Sequence, residues 1–331
     1  MIQAARIAAV LTLLISPMAL AQRSYPPKLP GARVEVYKTI GDVQLNAYIF
    51  LPKDHSPKDK RAAIVFFFGG GWRAGSPAQF HQHCLRLAKR GMVAITADYR
   101  VATRHKTKAL ACVADAKSAI RWVRQEADKL GVDPNKIVAA GGSAGGHIAA
   151  CTGVIDGLEE AGEAVEISSR PNAMALFNPA LVLAPVVGAK VPFDAKRLAD
   201  LKDRIGADPK TVSPFHHVRA GVPPTIIFHG QADKTVPYLT AELFTKAVKK
   251  NGGRCQLEGY PDQPHGFFNY GRSENKPYLS TMEKLERFLE SLGYLATEEK
   301  ERGREGGEER GREGGKERGR EGGKERMGEK K

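Results

Sequence analysis

The chain has 331 residues, of which 42% are hydrophobic and 27% charged, and its formal net charge is +14. This length allows one large domain or two small ones, with a core that needs no disulfide or metal to stabilise it. The composition excludes a collagen-like or wholly disordered chain, and the lack of long apolar stretches excludes a multi-pass membrane protein.

The first 21 residues have the pattern of an export signal. Arg6 supplies a positive charge, residues 7–15 are apolar, and small residues precede a candidate cleavage site before Gln22. The apolar run is too short for a membrane anchor. We therefore expect a signal peptide over 1–21, export to the periplasm or the medium, and no stable membrane insertion after cleavage.

The last 34 residues, 298–331, are almost entirely Glu, Lys, Arg and Gly, with an Arg-Glu-Gly-Gly unit repeated every eight residues. Paired glycines cost a helix about 1 kcal/mol each, and the segment has no apolar face to bury. It is predicted to be a disordered tail, which leaves 22–297 as the folded domain. Basic residues of that domain are scattered among acidic ones, so we expect no nucleic-acid partner.

Strand-like and helix-like segments alternate through the folded part. The predicted strands are 34–40, 43–51, 62–68, 92–97, 137–140, a broken strand of 174–177 with 181–183, 225–228 and 254–260. The predicted helices are 78–90, 106–130, 147–153, 238–250 and 277–292. Such alternation predicts an α/β fold with a mostly parallel central sheet and helices on both faces. The Pro-rich and Lys-rich segment 184–222 is a candidate cap or insert.

The four cysteines and the scattered histidines have no spacing typical of a metal or redox site. No metal and no cofactor are therefore expected. Spacing does not decide whether the cysteines are bridged, although buried free thiols are favoured. They are Cys84, Cys112, Cys151 and Cys255.

Residues 141–145, Gly-Gly-Ser-Ala-Gly, fit the G-x-S-x-G pattern between a strand and a helix. A serine nucleophile on such a sharp turn needs small neighbours, because the strand and the helix pass close to it. Its hydroxyl also needs a base to take its proton. Asp233 and His265 follow two later strands in the order Ser, acid, His that α/β-hydrolases use, so Ser143, Asp233 and His265 are the predicted catalytic triad.

Three glycines at 69–71 follow the first buried strand, where backbone N–H groups can bind a developing oxyanion. Ala144, directly after the nucleophile, offers a further N–H group. Trp72 either lines the acyl pocket or covers the end of the strand.

Other polar residues have a structural interpretation. His147 and His229 are expected to form structural hydrogen bonds, and Asp98 with Arg100 to hold the end of a strand. Asp98 is a weaker candidate for the triad acid, because it precedes the serine.

Five motifs together resemble the esterase/lipase branch of the α/β-hydrolases, close to the hormone-sensitive-lipase-like group and to bacterial carbohydrate esterases of acetyl and feruloyl type. They are Gly-Gly-Gly-Trp at 69–72, Asp-Tyr-Arg at 98–100, Gly-Gly-Ser-Ala-Gly-Gly-His at 141–147, His-Gly-Gln-Ala-Asp at 229–233 and Pro-His-Gly-Phe at 264–267. The resemblance implies that Gly70 and Gly71 donate to the oxyanion together with Ala144. The lipase-like group usually has His before the three glycines, where this chain has Phe68.

The sequence therefore predicts an exported serine hydrolase of carboxylic esters, with a small-molecule or carbohydrate ester of acetyl or feruloyl type as substrate. Two alternatives stay open. One is a serine peptidase of the prolyl-oligopeptidase kind, and the other is a non-catalytic binding module with the same fold. Oligomeric state is not indicated.

Overall fold

The computed structural model describes residues 25–191 and 194–297, and one eight-stranded sheet runs through them. Its strands are β1 (Arg33–Ile40), β2 (Val43–Phe50), β3 (Arg61–Phe67), β4 (Val93–Ala97), β5 (Val132–Gly142), β6 (Ala173–Phe177), β7 (Thr225–Gly230) and β8 (Cys255–Tyr260). The helices are α1 (His81–Lys89), α2 (Ala102–His105), α3 (Ala109–Gln125), α4 (Ala144–Val154), α5 (Ala195–Ile205), α6 (Tyr238–Lys250) and α7 (Lys276–Ser291).

The strand order is β1-β2-β4-β3-β5-β6-β7-β8. β1, β2 and β4 pair antiparallel, and the pairs from β4 to β8 are parallel. Parallel strands end at the same edge of a sheet, so the loops after β3, β5, β7 and β8 share one edge, which is where α/β proteins place their sites. The predicted α/β-hydrolase fold, with its mostly parallel sheet, is confirmed.

Hydrophobic core lies on both faces of the sheet, as β3 illustrates. Its side chains alternate, so Val65 and Phe67 belong to one core cluster and Ile64 and Phe66 to the other. Residues of α3 and α4 complete the first cluster, and residues of α1 and α7 complete the second. A strand buried on both faces has no polar positions, which explains its continuous apolar run.

Some predicted elements have different bounds. The helix predicted over 106–130 is α3, which ends at Gln125 and is preceded by the short α2. The segment 181–183 is not a strand, so that prediction was wrong. β6 ends at Phe177 because Asn178 has a φ of 35° and Pro179, which has no backbone N–H group, follows it.

The segment 184–222 contains α5 and two 3₁₀ turns, Pro209–Val212 and Pro214–His217. Asp194 caps the start of α5 by accepting a hydrogen bond from the backbone N–H of Arg197. Gly206 ends the helix with a φ of 82°, and Leu201 and Ile205 bury its inner face. The insert is therefore partly helical, and its buried Leu201 and Ile205 stand four residues apart on one face of α5.

The predicted signal peptide and the predicted tail lie outside the described residues. All four cysteines are buried free thiols. Across 25–191 and 194–297, no helix combines the length and the apolar character that a membrane crossing requires. In the same part of the chain, no three His, Cys, Asp or Glu side chains are grouped as metal ligands.

Candidate active site

Ser143 occupies a sharp turn between β5 and α4, with a φ of 55° and a ψ of −118°. Such a conformation costs a residue other than glycine about 1–3 kcal/mol, so its surroundings must hold it in place. The Ser143 N–H group donates to the carbonyl of Phe177 at 2.9 Å, and the Ser143 carbonyl accepts from the N–H group of His147 at 2.9 Å. The turn projects the hydroxyl away from the sheet while its backbone stays hydrogen-bonded.

The glycines on either side of Ser143 satisfy a strict steric demand. A Cβ on Gly145 would lie 2.0 Å from the Phe67 carbonyl oxygen, and one on Gly141 would lie 2.5 Å from the Gly145 backbone. Neither contact can be relieved by rotating a side chain, because backbone atoms form both. This crossing of strand and helix is the physical basis of the G-x-S-x-G pattern.

The structure brings Ser143, His265 and Asp233 together in one hydrogen-bonded line. His265 Nε2 lies 2.9 Å from Ser143 Oγ, and His265 Nδ1 lies 2.7 Å from Asp233 Oδ2. With the proton on Nδ1, the ring donates to the carboxylate and accepts from the serine hydroxyl. This arrangement can remove the hydroxyl proton and hold the resulting imidazolium beside a negative charge.

The Asp233 carboxylate is fully buried and fixed on both oxygens. Oδ1 accepts from the backbone N–H groups of Thr235 and Val236 at 2.8 and 2.9 Å. Burial raises the pKa of this carboxyl, but hydrogen bonds from His229, His265 and the backbone outweigh it and hold the pKa below its ordinary value. The carboxylate therefore stays ionised at neutral pH.

The loop after β3 carries unpaired backbone donors, and its Gly71 lines the same cavity as Ser143. Gly70 and Gly71 have φ values of 136° and 62°, and a Cβ on Gly70 would lie 2.0 Å from the Ala74 carbonyl oxygen. Among the hydrogen bonds of the described residues, the N–H groups of Gly70, Gly71 and Ala144 have no acceptor. Free N–H groups that border the same cavity as a serine hydroxyl can bind an oxyanion.

A cavity of about 250 Å³ opens at Ser143. Trp72 lines it and is nearly buried, and its indole N–H donates to His147 Nδ1 at 3.1 Å. The remaining lining residues are Gly71, Ala144, Ala180, Val182, Leu183, Arg197, Asp200, Leu201, Arg204, Thr235, Val236, Pro237 and Thr240. Most of the wall is apolar, and α5 supplies its charged part.

Of the other polar side chains that the sequence singles out, only His229 contacts this hydrogen-bonded line, with Nε2 at 3.4 Å from Asp233 Oδ2. The ring of His147 donates from Nε2 to the Val212 carbonyl at 2.7 Å, and burial lowers its pKa to about 4. His229 lies 2.9 Å from the Val236 carbonyl. Arg100 pairs with the buried Asp115, while Asp98 contacts Tyr25, Tyr99 and Arg104.

Side-chain amides that the sequence analysis missed join residues 69–71, which we call the oxyanion loop, to the loop that carries His265. Gln79 Oε1 accepts from the Gly69 N–H group at 2.6 Å, and Gln79 Nε2 donates to Asn269 Oδ1 at 2.8 Å. Asn269 Nδ2 donates to the Gly266 carbonyl at 2.8 Å, next to His265. We call Gln79 and Asn269 the amide bridge. No sequence motif marks it, because its two residues lie 190 positions apart.

One family model and several known esterases match this chain. The BD-FAE family model matches residues 48–248. The chain is 30% identical to carboxylesterase NlhH of Mycobacterium tuberculosis, over 76% of this chain and 81% of that protein. It is also 30% identical to esterase LipC of M. tuberculosis, over 64% of this chain and 54% of LipC, so it spans about half the length of that relative.

Solved structures of Thermogutta terrifontis esterase 2 are more similar still. The form phosphonylated by sarin is 54% identical with a TM-score of 0.81, over 83% of this chain and 100% of that one. The butyrate-bound form is 55% identical with a TM-score of 0.79, over 84% and 100% of the two chains.

Proposed function

We propose that this chain, which belongs to the BD-FAE family, hydrolyses carboxylic esters with short acyl groups through an acyl-enzyme on Ser143. The observation that carries the proposal is the hydrogen-bonded line from Asp233 through His265 to Ser143, with bonds of 2.7 and 2.9 Å. The names of the relatives support the same reaction, since NlhH is a carboxylesterase and LipC an esterase.

The reaction has two halves. Ser143 Oγ attacks the ester carbonyl carbon while His265 Nε2 takes the hydroxyl proton, and the carbonyl oxygen becomes an oxyanion bound by the N–H groups of Gly70, Gly71 and Ala144. The C–O bond to the alcohol breaks, and the imidazolium gives its proton to that leaving oxygen. Water then attacks the acyl carbon while His265 Nε2 takes one of its protons. The bond between the acyl carbon and Ser143 Oγ breaks, the imidazolium returns the proton to Ser143 Oγ, and the acid leaves. No cofactor enters these steps.

The preference for short acyl groups rests on the size of the cavity. Pockets for drug-sized ligands measure about 300–1,000 Å³, and the cavity at Ser143 is smaller, at about 250 Å³. The butyrate-bound state of the Thermogutta esterase supports a short acyl group as well. Acetyl groups on carbohydrates are short acyl groups of this kind. Feruloyl groups are the largest acyl groups that the proposal includes.

The test is a series of 4-nitrophenyl esters from acetate to palmitate, with the wild type beside Ser143→Ala. We expect serine-dependent hydrolysis that is fastest for esters between acetate and butyrate. In a second assay, we expect the wild type to release acetate from acetylated xylan. Turnover that increases with chain length would contradict the short-acyl preference. Hydrolysis of a dipeptide amide without hydrolysis of any ester would instead favour the peptidase alternative.

We also propose that residues 1–21 export the protein and are removed. The support is the pattern of charge, apolar run and small residues before Gln22. Expression of the full chain in a bacterium, followed by cell fractionation and N-terminal sequencing, should give an exported protein that begins at Gln22. An intact N-terminus in the cytoplasmic fraction would contradict it.

A further inference from the structure

Helix α5 brings charged side chains to the wall of the cavity that contains Ser143. Arg197, Asp200, Leu201 and Arg204 all line this cavity. Their spacing of three, four and seven residues places them on one face of the helix. Leu201 belongs to the core cluster that also contains Trp72 and Ala144, so it holds this face of α5 against the cavity.

Arg204 is held in a defined orientation by its neighbour one turn earlier. Asp200 Oδ1 accepts from Arg204 Nε at 3.1 Å, and Asp200 Oδ2 lies 2.8 Å from Arg204 Nη2. This pairing uses one edge of the planar guanidinium. The remaining nitrogen, Nη1, lies 3.4 Å from the position that a Cβ on Gly71 would occupy. The free edge of the guanidinium thus faces the oxyanion loop.

The accessible part of the Arg204 guanidinium borders the cavity. Arg204 lines it together with its ion-pair partner Asp200. The Arg204 side chain is 32% exposed, so a ligand can reach it, while most of its surroundings are protein. A carboxylate beside Nη1 of Arg204 would gain charge-assisted hydrogen bonds.

We propose that Arg204 binds a carboxylate of the substrate, so that the preferred esters carry a negative charge a few bonds from the scissile carbonyl. The apolar wall then receives the aliphatic part, and the guanidinium receives the anionic end. This inference rests on the proposed ester hydrolysis. The carboxylate can belong to the acyl part, as in a monoester of a dicarboxylic acid, or to the alcohol part, as in an acetylated uronic acid.

Two matched pairs of esters distinguish these sources. Monoethyl succinate and ethyl butyrate have acyl groups of four carbons and differ in the terminal carboxylate. Acetylated galacturonic acid and acetylated galactose differ in the carboxylate of the alcohol. Hydrolysis is followed by titration of the released acid at constant pH, and the readout is the ratio of kcat/KM within each pair, which cancels general effects on activity.

The variant is Arg204→Met, which keeps a long side chain and removes the charge. We expect the ratio for at least one pair to fall about tenfold, mainly through KM, which corresponds to about 1.4 kcal/mol. The pair that responds identifies which part of the ester carries the carboxylate. Arg204→Lys should retain part of the preference, because it keeps the charge and loses the fork geometry.

Arg33→Met is the matched control. Its guanidinium is 40% exposed and pairs with Glu35, but it lies at the start of β1, so this variant removes the same charge away from the cavity. Equal ratios in wild type and Arg204→Met for both pairs, with ethyl butyrate still hydrolysed, would overturn the carboxylate site alone. Failure of the wild type to hydrolyse ethyl butyrate would overturn the proposed function as well.

Discussion

The turn that carries Ser143 and the insert at 184–222 both border the cavity, but they are built in different ways. Around Ser143, backbone atoms of β3, β5 and α4 approach so closely that the glycines at 141 and 145 admit no side chain. In the insert, by contrast, a Cβ on Gly188 or Gly221 would meet nothing within 4 Å. One region is fixed by its backbone, and the other by the packing of side chains such as Leu201 and Ile205.

This difference separates the chemistry from the choice of substrate. The reacting groups depend on backbone crossings that tolerate few sequences, which is why a short motif identifies them. The charged wall of the cavity depends on side chains of α5 that can be exchanged without disturbing the sheet. We therefore expect substitutions in the turn to cause large losses of activity. Substitutions in the insert should change selectivity or stability instead.

Each of the two regions contains a hydrogen-bonded Ser–His pair, and substitution of the two serines should give the largest difference between the regions. Ser143 lies 2.9 Å from His265, whereas Ser213 in the insert lies 2.8 Å from His216 and accepts a hydrogen bond from the Leu183 N–H group. We expect Ser143→Ala to lower kcat by roughly 10⁵–10⁶-fold, since a triad acts as a unit. Ser213→Ala, the matched control, should remain active and lose about 1 kcal/mol of stability.

Activity of the two variants on 4-nitrophenyl butyrate, together with their urea denaturation curves, provides the check. Comparable loss of activity in both would contradict the assignment of Ser143 as the nucleophile.

A second test adds one methyl group to each region. Gly145→Ala forces a contact of 2.0 Å with a backbone carbonyl, so we expect inactivation and a loss of about 3 kcal/mol in the free energy of unfolding. Gly221→Ala has open space and only the strain of a φ of 84°, so it should cost about 1 kcal/mol and stay active. Denaturation midpoints and ester hydrolysis distinguish the two, and equal stabilities would contradict the steric argument.

The amide bridge allows a test of intermediate size. Gln79→Ala frees the Gly69 N–H group and one side of Asn269, which loosens the oxyanion loop relative to His265. We expect kcat to fall about tenfold to a hundredfold, with KM little changed, because only the placement of reacting groups is altered.

Gln82→Ala is its control, since this half-buried glutamine follows three residues later and lies outside the bridge. In steady-state kinetics, Gln79→Ala should have a lower kcat than Gln82→Ala, while the KM values of the two variants should be similar. A change in KM alone for Gln79→Ala would contradict a positioning role.

The last test concerns the dependence of stability on pH rather than activity. His83 is fully buried among aromatic rings with neither ring nitrogen hydrogen-bonded, and burial lowers its pKa to about 3. The unfolded chain then binds more protons below pH 6.5, so stability should be lost by about 1.4 kcal/mol per pH unit as pH falls from 6.5 towards 3. His147, whose pKa is about 4, adds a similar loss down to pH 4.

His83→Phe should weaken this dependence, while His216→Gln should change it less, because the insert ring is only half-buried. Urea denaturation between pH 4 and 7 measures it. An unchanged slope in His83→Phe would show that another group causes acid sensitivity.

Sequence patterns predicted the fold because strands buried on both faces leave continuous apolar runs, and because the turn at Ser143 admits only small residues beside it. Sequence patterns failed in two situations, which are a buried apolar segment outside the sheet and polar contacts between residues far apart in the chain. The stretch 181–183 is apolar because it lines the core beside the cavity, not because it pairs in the sheet. The amide bridge and the orientation of Arg204 depend on residues far apart in sequence, so no local pattern reveals them.

In the proposed reaction, Ser143 Oγ is the atom that attacks the ester carbonyl carbon, and this role can be tested by covalent labelling. It is tested most directly by mass spectrometry of the protein after reaction with paraoxon, with and without His265→Ala. We expect one diethylphosphoryl group per chain, located on Ser143, and greatly slowed labelling when the base is removed. Labelling at another residue, or labelling of Ser143 at the same rate without His265, would contradict it.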